Sequence, residues 1–141
     1  MDHIDNPLSF EPYEPKKGEE YMSPEQIEHF RMILTNLYDS INHKMTEAKN
    51  HMKEEPENFS DPVDRASQEE ELSLELRAQD RERKLIRKVQ ESLDTLKEGD
   101  YGFCQSCGAE IGLRRLEARP TATQCIDCKT LDELKEKQLY S

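Results

Sequence analysis

Apolar side chains recur every three or four residues along two long stretches of the chain. The first stretch follows Ser23 and Pro24, residues typical of a helix N-terminus, and runs to about Glu55, where Pro56 stops it. The apolar positions form a nearly regular heptad stripe: Ile27, Phe30, Leu34, Leu37, Ile41, Met45, Ala48 and Met52. The pattern predicts a long helix with one narrow apolar face.

A second stripe follows a short turn over residues 56–61. Asp61 is a good N-cap, Pro62 suits the first helical position, and Gly99 ends the pattern after about Lys97. The stripe contains two polar positions that favour one register: Leu72, Leu76, Gln79, Arg83, Ile86, Val89, Leu93 and Leu96. This stretch predicts a second long helix.

Two long helices joined by a short turn pack antiparallel, and each would rise about 45 Å. We therefore predict an all-α fold, in which a long antiparallel coiled-coil hairpin over residues 23–98 projects from a small globular base. The tip of this finger would lie at about residues 56–64.

Shorter elements flank the predicted hairpin. Residues 1–22 are rich in proline and predict an arm that packs on the base, held by Phe10, Tyr13 and Tyr21. A short helix over residues 112–119 is expected before Pro120. Thr130 and Glu133 form a capping-box pattern that predicts a C-terminal helix over residues 130–141.

Four cysteines stand in two pairs, Cys104 with Cys107 and Cys125 with Cys128, separated by seventeen residues. This spacing is typical of a four-cysteine zinc site, which we place in a zinc finger over residues 99–129. Four protein ligands leave no open position on the metal, so the zinc would be structural. Two disulfides or a pair of redox motifs are the alternatives, and the acidic N-terminus without an apolar leader favours the reducing cytoplasm.

Composition narrows the classes of function. Of the 141 residues, 33% are hydrophobic and 36% are charged, which is too little apolar material for a large core. We expect a bound metal and long amphipathic helices to compensate. The formal net charge of −11 argues against a general nucleic-acid-binding surface. No apolar run approaches the length of a membrane span, so we expect a soluble, cytoplasmic protein. We also expect it to be a monomer.

Two clusters of charge stand apart from the zinc site. Asp61 and Asp64 lie at the predicted tip, either as helix caps only or as carboxylates that act on a cationic or metal-containing cleft. Basic residues gather towards the base, either as a solvated helix face or as a site for a polyphosphate or an acidic protein: Arg81, Arg83, Lys84, Arg87, Lys88, Arg114, Arg115, Arg119 and Lys129.

Five short motifs together resemble one family. They are Asn-Phe-Ser-Asp-Pro-Val-Asp-Arg-Ala at 58–66, Arg-Glu-Arg-Lys-Leu-Ile-Arg-Lys at 81–88, Tyr-Gly-Phe-Cys at 101–104, Arg-Arg-Leu-Glu-Ala-Arg-Pro at 114–120 and Cys-Ile-Asp-Cys-Lys at 125–129. Over roughly residues 10–141 the chain resembles the DksA/TraR family of bacterial transcription factors.

The resemblance implies a protein that binds RNA polymerase directly, without recognising a specific DNA sequence. Its coiled coil would enter the secondary channel and, with the alarmone ppGpp, destabilise open promoter complexes. Stable RNA promoters would be repressed and some amino-acid promoters activated, as in the stringent response. The resemblance also implies residue roles: Asp61, Asp64 and Ala66 at the coiled-coil tip, Arg81 in polymerase interaction, and Lys88, Arg119 and Lys129 around ppGpp.

Two other classes of function remain open at this point. A transcript-cleavage factor of the Gre type also has an acidic finger tip, where carboxylates help to hold a second Mg²⁺. A coiled-coil adaptor with a zinc clasp would need no polymerase. The tip pattern from Asp61 to Asp64 and the four cysteines favour the non-enzymatic regulator.

Overall fold

The computed structural model describes residues 10–54 and 62–140, with side chains over 10–50 and 64–139. The described residues form four α-helices: α1 Pro24–Glu54, α2 Pro62–Glu98, α3 Leu113–Ala118 and α4 Ile126–Tyr140. Within these ranges extended pairing is limited to one isolated antiparallel bridge, between Phe103 and Glu110. The predicted all-α fold is confirmed.

Helices α1 and α2 form the hairpin. They have 31 and 37 residues, which correspond to about 45 and 55 Å of helix. The two helices pack on each other. The rings of Phe30, early in α1, and Tyr101, just after α2, lie 5.6 Å apart, so the pair is antiparallel. The predicted turn, which includes Asp61, lies outside the described residues.

The start of α1 is capped through side chains. The backbone N–H of Gln26 donates to Ser23 Oγ at 3.3 Å, as the sequence pattern predicts. The side chain of Gln26 accepts in return from the N–H of Met22 at 2.7 Å, one residue earlier than in a standard capping box. Gln26 is only 2% exposed, so this cap lies inside the base.

The end of α2 is a Schellman motif. Gly99 has a φ of 86°, its N–H donates to the carbonyl of Leu96 at 3.3 Å, and the N–H of Asp100 donates to Thr95 at 2.9 Å. Glycine is favoured there because a left-handed φ strains other residues. The chain therefore turns sharply out of α2 into the first cysteine pair.

The hydrophobic core lies at the base end of the hairpin. Phe30 and Leu34 from α1, Val89 from α2 and Leu116 from α3 are fully buried, and Tyr101 is 5% exposed. The base is therefore built from three helices and the loop that carries the cysteines.

The distal half of α2 differs from the prediction. Leu72 and Leu76 belong to the predicted apolar stripe, yet they are 43% and 48% exposed, whereas the polar stripe position Gln79 is 4% exposed. The periodicity locates the correct face of the helix. A two-helix hairpin covers that face from one side only, so side chains on it can stay exposed.

The arm contacts the base through aromatic rings and one buried carboxylate. The rings of Phe10 and Tyr13 lie 5.7 and 5.4 Å from the ring of His29. The backbone N–H of Tyr13 donates to Glu117 Oε2 at 2.7 Å, and His29 Nε2 lies 2.8 Å from the same oxygen. The carboxylate of Glu117 in α3 thus joins the arm to α1.

A second carboxylate holds the arm against the start of α1. Glu19 Oε2 accepts hydrogen bonds from the hydroxyls of Ser23 at 2.5 Å and Tyr13 at 2.6 Å, and from Gln26 Nε2 at 3.1 Å. These donors, first of all Ser23, lower the pKa of Glu19 to about 2. The ionised carboxylate is the centre of this cluster.

The C-terminal helix begins earlier than the capping-box pattern predicts. Helix α4 starts at Ile126, and its first turn is closed by the Lys129 N–H, which donates to the Cys125 carbonyl at 3.0 Å. Thr130 therefore lies inside the helix and does not cap it. The cysteine turn itself starts α4, which places the second cysteine pair at a helix N-terminus.

Candidate metal centre and basic cleft

The first cysteine pair lies in a tight hydrogen-bonded turn. The Cys104 N–H donates to the Ala109 carbonyl, and the Gly108 N–H donates to the Cys104 carbonyl, both at 2.8 Å. Gly108 has a φ of 80°, a left-handed conformation that suits glycine. This turn brings Cys104 and Cys107 to the same side of the loop.

An arm residue supports this turn from behind. The Tyr21 hydroxyl donates to the Gly102 carbonyl at 2.7 Å and accepts from the Gly112 N–H at 3.0 Å. A Cβ on Gly102 would lie 3.0 Å from the Tyr21 oxygen, and the φ of 91° is also left-handed. Gly102 is thus required by close approach and by backbone conformation, and the arm contributes to the cysteine site.

The four sulfurs form one cluster. All of them lie within 4.8 Å of one another, and the sulfurs of Cys107 and Cys125 are 3.7 Å apart. A zinc ion about 2.3 Å from each of four tetrahedral ligands separates the sulfurs by about 3.8 Å. Cys104 and Cys125 are buried, whereas Cys107 is exposed and Cys128 is half-buried. The donor set and its spacing fit one tetrahedral zinc ion.

The thiols of the cluster differ in acidity. The pKa of Cys104 falls to about 6, chiefly because the backbone N–H of Cys125 donates to its sulfur. The pKa of Cys128 rises to about 12, chiefly through its hydrogen bond with the thiol of Cys125. A metal that binds all four sulfurs must displace the protons on such thiols, so its affinity rises with pH.

A cleft of about 890 Å³ lies beside the cysteine cluster. Its walls come from the end of α2, the loop that carries Cys104, the segment after α3, and the start of α4. The three basic residues singled out by the family resemblance, Lys88, Arg119 and Lys129, all line it. They are distant in sequence, and the fold brings them to one cavity.

Hydrogen bonds fix the wall that carries Arg119. The hydroxyl of the buried Tyr101 donates to the Pro120 carbonyl at 2.7 Å, and the Arg119 N–H donates to the Arg115 carbonyl at 2.8 Å. Arg115 lines the same cleft and is the fourth cation in it. Arg115 precedes Arg119 by four residues, a spacing that predicts one shared helix face. This spacing is the feature of the sequence that could have identified Arg115 as a cleft residue.

Carboxylates line the cleft as well as cations. Glu91, Glu98 and Asp100 line the cleft together with the four basic residues, so the cavity is not uniformly positive. The two guanidinium groups offer planar pairs of donors that match phosphate oxygens. The arrangement suits an anion held by several directed bonds better than one attracted by net charge alone.

The remaining basic residues do not join this cavity. Arg81 is exposed on α2 and does not line the cleft. Lys84 lies 3.4 Å from an Asp80 oxygen, and Arg114 pairs with Glu117 at 2.6 Å. For Lys84 and Arg114 the interpretation as paired surface charges is therefore the better one.

The structure describes part of the predicted tip. Asp64 and Ala66 are exposed in the first turns of α2, and Asp64 is the acidic residue of the first turn. Asp61 lies outside the described residues, so its proximity to Asp64 stays a prediction.

None of the helices in the described part of the chain has an apolar stretch long enough to span a bilayer.

Family models match most of the chain. The model described as DnaK suppressor protein DksA, N-terminal domain, matches residues 26–96, and the prokaryotic dksA/traR C4-type zinc finger matches residues 99–133. The chain belongs to the DksA family. The second match covers all four cysteines of the cluster, so the family and the geometry both suggest a zinc ion there.

Individual relatives agree with the family models. The RNA polymerase-binding transcription factor DksA of Escherichia coli strain K12 is 57% identical over 129 residues, which are 92% of this chain and 85% of that protein. The protein of the same description from Haemophilus influenzae is 57% identical over 128 residues, 91% and 88% of the two chains.

A solved structure has the same fold. The structure of transcription factor DksA2 from Pseudomonas aeruginosa superposes with a TM-score of 0.78 at 39% identity. The match covers 87% of this chain and 93% of that one. The hairpin and its base are therefore the architecture of a solved member of the family.

Proposed function

We propose that this chain is a non-enzymatic transcription factor that binds RNA polymerase directly and recognises no specific DNA sequence. The relatives with 57% identity are named RNA polymerase-binding transcription factors, which supports the first part. The net charge of −11 supports the absence of specific DNA recognition, because phosphates repel an acidic surface. The protein would act in the cytoplasm as a monomer.

In this proposal the hairpin enters the secondary channel of the polymerase. A rod about 45 Å long, one helix pair thick, has the shape for a narrow pore. Asp61, Asp64 and Ala66 would act at the tip, and Arg81 on α2 would contact polymerase. The exposure of Asp64, Ala66 and Arg81 supports these roles.

One structural zinc ion would be held by Cys104, Cys107, Cys125 and Cys128. The common cluster of four sulfurs and the tight turn around each pair support this assignment. With four protein ligands the ion would have no open position, and its role would be to stabilise the base. The cleft wall next to Cys104 would depend on it.

The observation that carries the proposal is that Lys88, Arg119 and Lys129 line one cleft. We propose that this cleft, closed by the polymerase rim, binds ppGpp. Charge-assisted bonds from these residues to phosphate oxygens would supply the affinity. Bound ppGpp would then strengthen the action of the tip.

The proposed outcome is destabilisation of open promoter complexes. Promoters for stable RNA would be repressed, and some amino-acid promoters would be activated, as part of the stringent response. The cleft lies at the base and the tip at the far end of the hairpin, so ppGpp and the tip would act on polymerase at separate places.

In vitro transcription tests this function. RNA polymerase would be assayed on a ribosomal RNA promoter with and without the chain, each with and without ppGpp. Repression that ppGpp strengthens is expected. Failure to bind core polymerase would favour the adaptor alternative, and rapid shortening of transcripts in backtracked complexes would favour a cleavage factor.

The tip is tested by the charge-neutral double variant Asp61→Asn with Asp64→Asn. We expect it to keep its fold and its binding to polymerase and to lose promoter inhibition. The matched control is Asp80→Asn, since Asp80 is an exposed aspartate on the same helix. Full inhibition by the double variant would reduce the tip carboxylates to helix caps.

A further inference from the structure

Gln124 joins three separate segments around the cleft. Its backbone carbonyl accepts from Arg115 Nε at 3.1 Å. Its side-chain Nε2 donates to Asp132 Oδ2 at 2.7 Å and to Ser106 Oγ at 3.2 Å. These partners belong to α3, to α4 and to the turn between the first two cysteines, so one residue connects three of the segments that border the cleft.

The bond to Asp132 acts on the helix that carries Lys129. Asp132 follows Lys129 by three residues, so the two side chains are neighbours on the surface of α4. The side chains from Thr130 to Leu139 are all exposed, so packing does little to orient this helix. The short bond from Gln124 to a charged carboxylate therefore contributes directly to the direction in which α4 leaves the cysteine cluster.

The bond from Arg115 acts on the opposite wall. A guanidinium group has five N–H donors, and the Nε–H is committed to the Gln124 carbonyl. The terminal donors stay available while the plane of the group is fixed. The backbone carbonyl of Arg115 also accepts the backbone N–H of Arg119. The Gln124 contact therefore fixes the backbone at both arginines relative to α4.

We infer that Gln124 is a positioning residue that sets the distance between Arg115 and Arg119 on one side of the cleft and Lys129 on the other. In this way it matches the cations to the phosphate groups of a bound polyphosphate. The inference rests on the proposed function of the cleft as a ppGpp site. Gln124 acts through its neighbours and need not touch the ligand.

The first variant is Gln124→Met, which keeps the length of the side chain and removes the amide without adding charge. We expect the ppGpp concentration for half-maximal repression to rise about tenfold, the effect of one lost hydrogen bond to a charged group. Repression without ppGpp should change much less. The matched control is Gln90→Met, because Gln90 makes an exposed bond to Asp94 on α2, outside the cleft.

The second arm is a rescue. Gln124→Glu sets two carboxylates against each other and should weaken the ppGpp response at least as much as Gln124→Met. Adding Asp132→Asn restores the pair with donor and acceptor exchanged and should return the ppGpp response towards that of the unaltered chain. A residue that merely stabilised the fold would lower repression with and without ppGpp alike, whereas a positioning residue changes the ppGpp response alone.

Three results would overturn the inference about Gln124. They are an unchanged ppGpp response in Gln124→Met, no recovery in the double variant, and loss of bound zinc from Gln124→Met. If the unaltered chain shows no ppGpp response, the proposed function fails and the inference with it. If the unaltered chain responds and the Gln124 variants respond equally, only the inference fails.

Discussion

The base end and the distal end of the hairpin belong to the same two helices but differ in how many layers cover them. At the base, Phe30, Leu34 and Val89 are fully buried, because α3, the arm and the cysteine loop pack around α1 and α2. Further along α2, Leu72 and Leu76 are 43% and 48% exposed. Stability is therefore concentrated at the base, and the distal half is held by helix pairing.

This difference in packing suits the two ends of the hairpin to different roles. The base presents a cleft in which hydrogen bonds hold the Arg115 guanidinium and the backbone at Arg119, and such a site needs a rigid frame. The distal hairpin presents exposed carboxylates such as Asp64 on a thin rod. Local opening should accordingly cost less free energy at the distal end than at the base.

Removing zinc should have the largest effect and should act first on the base. Structural zinc contributes about 10 kcal/mol or more to folding, which is comparable to the whole stability of a small domain. We expect Cys125→Ser, or a strong chelator, to abolish the cooperative melting transition and to reduce the helical circular dichroism signal. An unchanged melting temperature after verified loss of zinc would contradict a zinc-dependent base.

A matched pair of leucine truncations should separate the two ends. Leu34→Ala opens a cavity in the fully buried base and should cost about 3 kcal/mol in the free energy of unfolding. Leu76→Ala removes a half-exposed side chain and should cost less than about 1 kcal/mol. Urea denaturation measures both, and equal losses would mean that the two ends are packed alike.

The carboxylate of Glu117 should give the base an acid-sensitive contribution. Burial raises the pKa of Glu117, but bonds from the Tyr13 N–H, Arg114 and His29 outweigh it, so the pKa lies below its ordinary value. The folded state therefore releases this proton more readily than the unfolded state. The contribution is complete above about pH 4.5 and is lost as the pH falls through the lower, folded value.

The variant Glu117→Gln tests this contribution. At pH 7 it should lose about 2 kcal/mol of unfolding free energy, the scale of hydrogen bonds to a charged group. Below about pH 4 the difference from the unaltered chain should shrink. Glu133→Gln, at an exposed position on α4, is the control. A difference that stays constant from pH 7 to pH 3 would show that the ionised carboxylate is not the stabilising form.

The smallest expected effect concerns the arm. The pKa of Tyr13 is raised to about 12, first of all because its hydroxyl donates to Glu19. Glu19→Gln should bring it towards the ordinary value near 10, and Glu25→Gln, which removes a longer 3.2 Å contact, should change it less. Titration of labelled tyrosine by NMR distinguishes the two variants. Equal shifts would mean that Glu19 is not the centre of the arm contact.

Acid should also release the arm in the unaltered chain. Because the pKa of Glu19 is lowered to about 2, its contacts are complete above the ordinary carboxyl pKa and are lost as the pH falls towards 2. The NMR signals of Tyr13 report this release. Loss of the arm contacts well above pH 4.5 would assign them to another group.

Local patterns predict the helices and the cysteine cluster because the interactions that form them are local or metal-directed. The heptad stripe predicts α1 and α2, and the cysteine spacing predicts the cluster of sulfurs. Periodicity identifies a helix face but not the number of layers that cover it. For this reason the stripe wrongly predicts that Leu72 and Leu76 are buried. The start of α4 at Ile126 was missed because the cysteine turn competes with the capping pattern at Thr130.

The sequence alone predicts some residues of the cleft but not the cleft itself. The family resemblance points to Lys88, Arg119 and Lys129, but only the packing of α2, α3 and α4 places them in one cavity with Arg115. The connection through Gln124 has no sequence signal, because a glutamine before a cysteine is unremarkable by itself. Long-range hydrogen bonds of this kind have no periodicity to reveal them.

The most direct measurement is equilibrium binding of labelled ppGpp to RNA polymerase with and without this chain. We predict that the chain adds a ppGpp-binding site to the complex. Lys129→Gln should weaken this added binding about tenfold or more, whereas Lys137→Gln, further along α4, should leave it unchanged. No added binding, or equal loss in both variants, would contradict a ppGpp site in this cleft.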